Sequence, residues 1–323
     1  MTCVARTSPP RSQSLPLGRA IDEYLHWLEF DRHRSQNTIT EYRRDLKRFL
    51  TFAESSAPRD TAALDRDLIR AFQRHVSHDA IQTPAGARPH SLATRQRRLV
   101  SLRSFLRFAS REEWTSRDLA AVIDLPKLPQ RLPKPLEDAD RERLLHEMPT
   151  ETLADKRDRA LMLLLLCTGA RISEVLRLNI DDWGHERLTV VGKGDKERVV
   201  NVTDRARDAV DDYLSERKDP SPALFIGFQP ASKTSATTET ANRLTPTGAR
   251  YICNQVARKV NMPHFHPHRL RHTLGTLVQE QLGDARLTAD TLGHSGLGSV
   301  SGYTKITEAR RAVVKERIEQ AGL

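Results

Sequence analysis

At 323 residues the chain is long enough for two domains, each with its own hydrophobic core. Hydrophobic residues make up 38% and charged residues 29%, the balance of a soluble globular protein, and no apolar run approaches the roughly 18 residues of a membrane span. The net charge of +10 favours an anionic partner, and it is unevenly spread: residues 1–134 hold 24 Lys and Arg against 15 Asp and Glu, while residues 135–323 hold 28 against 27. The asymmetry assigns most of the attraction to nucleic acid to the first half; a basic solvated surface without a specific partner is the competing reading.

The N-terminal "MTCVARTSPPRSQSLP" lacks an apolar segment of signal-peptide length and carries adjacent prolines. Residues 1–15 are therefore expected to be a disordered leader of a cytoplasmic protein. Helical periodicity then dominates. It runs through 17–32 with Ile21, Tyr24, Leu25 and Leu28, and through 35–54 with Ile39, Tyr42, Leu46 and Leu50, where Ser35 and Asn37 are cap candidates. A third helix is predicted over 65–78, starting at Asp65 or Asp67. A fourth, over 91–113, has Leu92, Leu99, Leu102 and Leu106 on one face and six arginines before its first acid, Glu112. Arg95, Arg97, Arg98, Arg103 and Arg107 of this helix, with Arg43 and Lys47 of the second, are the candidate DNA contacts; a solvated basic face is the alternative.

Four prolines in "LPKLPQRLPKPLED" (125–138) forbid a helix and mark a stiff linker, with the boundary near Pro133. Helices are predicted at about 137–148, 155–169 and 172–178. "RLTVVGKGDKERVVNV" (187–202) then places two β-branched runs around a glycine-rich basic tip, the pattern of a hairpin. A helix follows over 203–217, a polar loop over 229–246, and further helices to the end. Cys3, Cys167 and Cys253 are too few and too scattered for a disulfide framework or a cysteine zinc site, and are expected to be reduced thiols.

The densest chemistry lies in "HPHRLRHT" (266–273). His268 and His272 stand one helical turn apart, as two zinc ligands would. Yet zinc would need a third and fourth ligand and usually a nearby carboxylate, whereas here Arg269 and Arg271 lie between the histidines, so the pattern disfavours a metal. His268 and Arg271, three apart, share a helical face. Arg171 follows a helix-breaking Thr-Gly pair in "TGARISEV", with Glu174 positioned to hold it. Lys193 sits between two glycines at the hairpin tip, His294 lies in "LGHS", and Tyr303 follows in "SGYTKI". Each alone reads as an ordinary surface or structural residue.

Taken in order, "TGARISEV", "GKGDKER", "PHRLRHT", "LGHS" and "YT" resemble the catalytic motifs of the tyrosine recombinases, the phage integrase family, in their Xer-like form. "TITEYRRDLKRFLTF" and "SLATRQRRLVSLRSFLRF" resemble that family's DNA-binding helices, so the likeness spans roughly residues 15–320. It implies a mainly α fold with a small β-sheet, arranged as a two-domain clamp. An N-terminal helical, SAM-like core-binding domain would occupy 16–124, a linker 125–136, and an α+β catalytic domain 137–323. It implies Arg171, Lys193, His268, Arg271, His294 and Tyr303 as catalytic residues, with Tyr303 forming a 3′-phosphotyrosine.

Lys193 would then protonate the departing 5′-oxygen, the two arginines would grip the phosphate, His268 would exchange a proton on the tyrosine side and His294 would hydrogen-bond the phosphate. The phosphotyrosine conserves the energy of the broken bond, so no cofactor, nucleotide or metal ion is expected. The expected partner is double-stranded DNA with an inverted-repeat core site. It would be bound by a homo-tetramer, or by a hetero-tetramer with a second recombinase, in the cytoplasm at the nucleoid. The tail 306–323 would dock on a neighbouring subunit or on its own domain. The longer polar loop and the glycine-rich "GLGSVSGY" leave resolution of chromosome dimers and a mobile-element role both open. Type IB topoisomerase activity and a non-catalytic DNA-binding regulator are the alternative functions.

Overall fold

The structure is a computed structural model that describes residues 14–55, 60–83, 86–129, 134–184, 186–192, 195–228 and 242–293. Lys193, His294, Tyr303, residues 1–13 of the expected leader, most of the polar loop and the expected C-terminal helix lie outside the described residues. The chain divides into two compact units, Met1–Gln130 and Arg131–Leu323.

Among the described residues four α-helices build the first unit: α1 (Leu17–Phe30), α2 (Gln36–Ser55), α3 (Arg66–His78) and α4 (Leu92–Arg111). Their apolar stripes meet in one core that includes Tyr24, Leu46, Phe49, Phe72, Leu102, Phe105 and Leu106. Two starts are set by side-chain caps: Asp65 accepts from the Leu68 amide at 2.8 Å and Ser91 from the Thr94 amide at 3.1 Å. The core face of α4 departs from expectation at its first turn. Leu92 is 41% exposed, and the face is carried instead by Leu99, Leu102, Phe105, Leu106 and Ala109.

Between α3 and α4 stands a hairpin that the sequence pattern did not predict. Strands β1 (Ala80–Thr83) and β2 (Gly86–Pro89) pair antiparallel, Ala80 opposite Pro89 and Thr83 opposite Gly86. Among the described residues the sheet content is therefore two separate two-stranded ribbons, one in each unit.

The second unit is organised around α6 (Leu153–Thr168). Thr152 and Asp155 form a reciprocal capping box at its start, and the run "ALMLLLLC" is buried on nearly every side, as a helix apolar all round must be. Around it lie α5 (Asp138–His146), α7 (Ile172–Val175), α8 (Asp204–Glu216), α9 (Pro246–Lys259), α10 (Pro267–Leu282) and α11 (Ala285–Leu292). The expected hairpin is present as β3 (Arg187–Val191) and β4 (Glu197–Asn201), with Val191 opposite Glu197. Among the described residues no helix is long and apolar enough to cross a membrane.

Candidate active site

The site begins where α6 stops. Gly169 takes the left-handed conformation (φ +59°) that ends the helix, and a Cβ there would lie 2.8 Å from Leu274 Cδ2 and 2.9 Å from Leu292 Cδ2. Glycine is thus required twice, by backbone and by space. Two residues later Arg171 caps α7, and Glu174 holds it twice. The carboxylate accepts from the Arg171 backbone amide at 2.8 Å and from Arg171 Nη1 at 2.7 Å.

Glu174 also accepts from Arg198 Nη2 at 2.8 Å. Burial alone would raise its pKa, but the hydrogen bonds from Arg198 and Arg171 outweigh burial and hold the carboxyl below the usual glutamate range. Arg171 itself remains 39% exposed, so a rigid buried carboxylate presents a partly open guanidinium.

Helix α10 starts with Pro267 at its first turn, a position where proline's missing donor costs nothing, and carries His268 and Arg271. Arg271 is 1% exposed. Its Nη1 donates to the Gly169 carbonyl at 2.5 Å and its Nη2 to the Leu292 carbonyl. Both acceptors end helices, where carbonyls are unpaired and the backbone dipoles leave partial negative charge, so the buried cation is matched by α6 and α11 together. The guanidinium has five N–H donors in all, and its plane is fixed by these two helix ends.

The His268 imidazole is held below its usual pKa, first by partial burial and then by the charges of Arg271, His266 and Arg171. The bond from Arg271 Nη1 to the Gly169 carbonyl joins the first turn of α10, which carries His268, to the chain two residues before Arg171, so three of the six expected catalytic residues lie around one junction. His268 and His272 meet edge to face with ring centroids 4.4 Å apart. Among the described residues no group of three or more His, Cys, Asp or Glu could hold a metal ion. Arg269 is turned away from this cluster and donates to the Pro135 carbonyl at 3.1 Å, tying the end of the proline-rich segment to α10.

Sequence reasoning missed the part played by Arg198. Strand alternation puts Arg198 and Val200 on the inner face of β4, but "DKERVV" alone gives no sign that the arginine's acceptor lies 24 residues upstream.

The candidate DNA contacts in the first unit separate by environment. Arg43, Lys47 and Arg107 are exposed. Arg97 is 38% exposed and pairs with Glu41 at 2.6 Å and Asp45 at 2.7 Å. Arg95 and Arg103 are half-buried. Arg98 is a correction: it is 4% exposed, its Nη1 lies 2.5 Å from Asp79 and its Nη2 2.9 Å from His90, so it braces the fold instead of facing solvent.

Residues 134–310 match the Phage integrase family, and residues 21–113 match the Phage integrase N-terminal SAM-like domain. Tyrosine recombinase XerD of Oceanobacillus iheyensis is 31% identical over 303 residues, covering 90% of this chain and 95% of that protein. Tyrosine recombinase XerC of Pseudomonas aeruginosa is likewise 31% identical, over 92% of this chain and 93% of its own length. Among solved structures, the XerH site-specific recombinase bound to its difH substrate shares the fold, with a TM-score of 0.65 at 19% identity, over 91% of this chain and 83% of that one. The matches run through both units, which favours neither a topoisomerase nor an idle DNA-binding regulator.

Proposed function

The chain belongs to the phage integrase family of tyrosine recombinases, enzymes that cleave and rejoin DNA at specific sites, and from that premise we propose which residues carry the reaction and how. Tyr303 is the nucleophile. Its Oη bonds to phosphorus as the P–O5′ bond breaks, leaving a 3′-phosphotyrosine and a free 5′-hydroxyl that attacks the partner strand. A phenol with a pKa near 10 costs about 4 kcal/mol to ionise at pH 7, so the proton must be taken as the bond forms. His268 is suited to take it, because its depressed pKa keeps the ring neutral at that pH.

The single observation that carries this reading is the convergence of Arg171, His268 and Arg271 at the α6–α7 junction and the first turn of α10. Charge spreading over the non-bridging oxygens needs donors fixed before the reaction begins. The Glu174 clamp fixes Arg171, and two helix ends fix Arg271. Lys193 protonates the leaving 5′-oxygen and His294 donates to the phosphate. Two other tyrosines are poor rivals to Tyr303. Tyr24 and Tyr213 are buried with pKa values raised chiefly by that burial, and Tyr24 donates to Ser104 at 2.7 Å.

In this account the unit ending at Gln130 reads the DNA through exposed cations such as Arg43, Lys47 and Arg107, and the unit from Arg131 performs the chemistry. Strand exchange between two sites calls for four active sites, hence a tetramer of this chain or of this chain with a second recombinase on inverted-repeat core sites. The reaction takes place where the DNA is, in the cytoplasm.

Covalent trapping tests the proposal. Wild type and Tyr303→Phe are incubated with a nicked library of the source genome, denatured, and the retained DNA is sequenced. Wild type alone should retain fragments sharing an inverted repeat. Adducts without a shared site would favour topoisomerase action, and adducts formed equally by Tyr303→Phe would remove Tyr303 from the mechanism.

A further inference from the structure

We propose that Arg198 is a positioning residue for DNA cleavage: it pins strands β3 and β4, and Gly192, to which Lys193 is joined in the chain, to the Arg171–Glu174 clamp. The inference rests on the reading of Lys193 as the acid that protonates the 5′-oxygen. Three contacts carry it, each next to a residue of the proposed site. Arg198 Nη2 donates to Glu174 Oε2 at 2.8 Å, while Oε1 of the same carboxylate accepts from Arg171. Gly192, the residue before Lys193, lies against this pair: a Cβ there would be 3.4 Å from Glu174 Oε1 and 3.7 Å from Arg198 Nη1. Gly293, the residue before His294, sits under the stem of Arg198, where a Cβ would come within 2.6 Å of Cδ and 2.7 Å of Nε.

Simple charge compensation does not account for this arrangement. Arg171 already neutralises Glu174, so Arg198 adds a second cation to one carboxylate that is only 3% exposed. Nor is the ion pair needed to bury the strand, since Val200 on the same face of β4 is 6% exposed within the core. What the pair does supply is register. The Gly192 amide donates to the Lys196 carbonyl at 2.8 Å and closes the hairpin, and Arg198 two residues on fixes that closed end to α7. A flexible ammonium such as Lys193 is effective as an acid only if its base of attachment is held, because misplacement by about 1 Å can cost on the order of 10²-fold in rate.

The test exploits a leaving group that needs no acid. A synthetic duplex carrying the core site recovered by trapping is nicked beside the scissile phosphate and made in two forms, with oxygen or with sulfur at the bridging 5′-position. In both, Tyr303 Oη bonds to phosphorus. With oxygen the P–O5′ bond breaks and the 5′-oxygen takes a proton; with sulfur the P–S5′ bond breaks and a thiolate departs unprotonated, since a thiol's pKa is about 8.5. Single-turnover formation of the covalent complex is measured for wild type, Lys193→Ala, Arg198→Ala and Arg198→Lys, all checked for a native melting transition.

Lys193→Ala should be slowed by about 10²–10⁴-fold on oxygen, and sulfur should recover most of that loss. Arg198→Ala should be slowed by about 10²-fold on oxygen and recover the greater part on sulfur. Arg198→Lys keeps the charge but lacks the fork, and should show a smaller defect of the same kind. Equal slowing of the Arg198 variants on both substrates, beside a rescued Lys193→Ala, would overturn the inference and leave the Lys193 reading intact. A Lys193→Ala defect that sulfur does not relieve would overturn the reading beneath it.

Discussion

Replacing Gly169 with alanine tests the joint at which the site is built. The residue holds φ at +59°, a conformation that costs an L-residue about 1–2 kcal/mol. The added Cβ would also stand 2.8 Å and 2.9 Å from methyl carbons of Leu274 and Leu292, inside any normal carbon contact, and overpacking of this kind costs about 1–3 kcal/mol. Together the expected loss is about 2–5 kcal/mol. For a unit of 150–250 residues that lowers Tm by about 4–20 °C.

Activity should fall further than stability requires. The Gly169 carbonyl is an anchor of Arg271, and Arg171 lies two residues downstream. Thermal unfolding of the full chain, followed by single-turnover formation of the covalent complex well below the new Tm, separates the two effects. Gly18→Ala is the control: its Cβ would meet only Leu50 at 3.8 Å inside α1, so stability should be unchanged or slightly raised. A Gly169→Ala protein that melts and cleaves like wild type would refute the reasoning.

Other substitutions probe charge. Because His268 titrates below its ordinary value near 6.5, a base role predicts that cleavage stays high at pH 6.5 and falls only at lower pH; His266→Gln, which removes a neighbouring charge, should move that acid limb upward in a pH–rate profile. Glu174 titrates lower when folded than when unfolded. Its contribution to stability is therefore present above about pH 4.5 and lost as the pH falls through the folded value, and urea midpoints of Glu174→Gln should show a flatter acid dependence than wild type. Arg107→Ala should weaken DNA binding and reduce the salt slope of log K by about 1. Arg98→Ala should instead cost about 1.5–3 kcal/mol of stability by stranding Asp79 and His90, which a urea melt would detect.

What could be read from the sequence follows the range of the physics. Helical periodicity is local, and α1 to α4 begin and end near the positions that their leucines and their Asp65 and Ser91 caps imply. The β3–β4 hairpin was equally legible, because β-branched runs flank a glycine-rich turn. The β1–β2 hairpin was not: "AIQT" and "GARP" hold one β-branched apolar residue between them and no alternation.

Arginines resist this kind of reading most. Arg98 and Arg107 sit on the same helix in similar company, and only the tertiary approach of Asp79 and His90 decides that one is a buried brace and the other an exposed cation. Arg171 and Glu174 were a local pair and could be foreseen. The second guanidinium on Glu174, and the two helix ends that close on Arg271, arise from residues between 21 and 102 positions apart.

The most direct test of the account is to identify the residue that carries the DNA. Covalent complexes formed on a nicked duplex are digested with protease and nuclease, and the peptide bearing the residual nucleotide is sequenced by mass spectrometry. The account predicts a single phosphotyrosyl peptide containing Tyr303. Nucleotide attached elsewhere, for example to the exposed Tyr251 on α9, would contradict it.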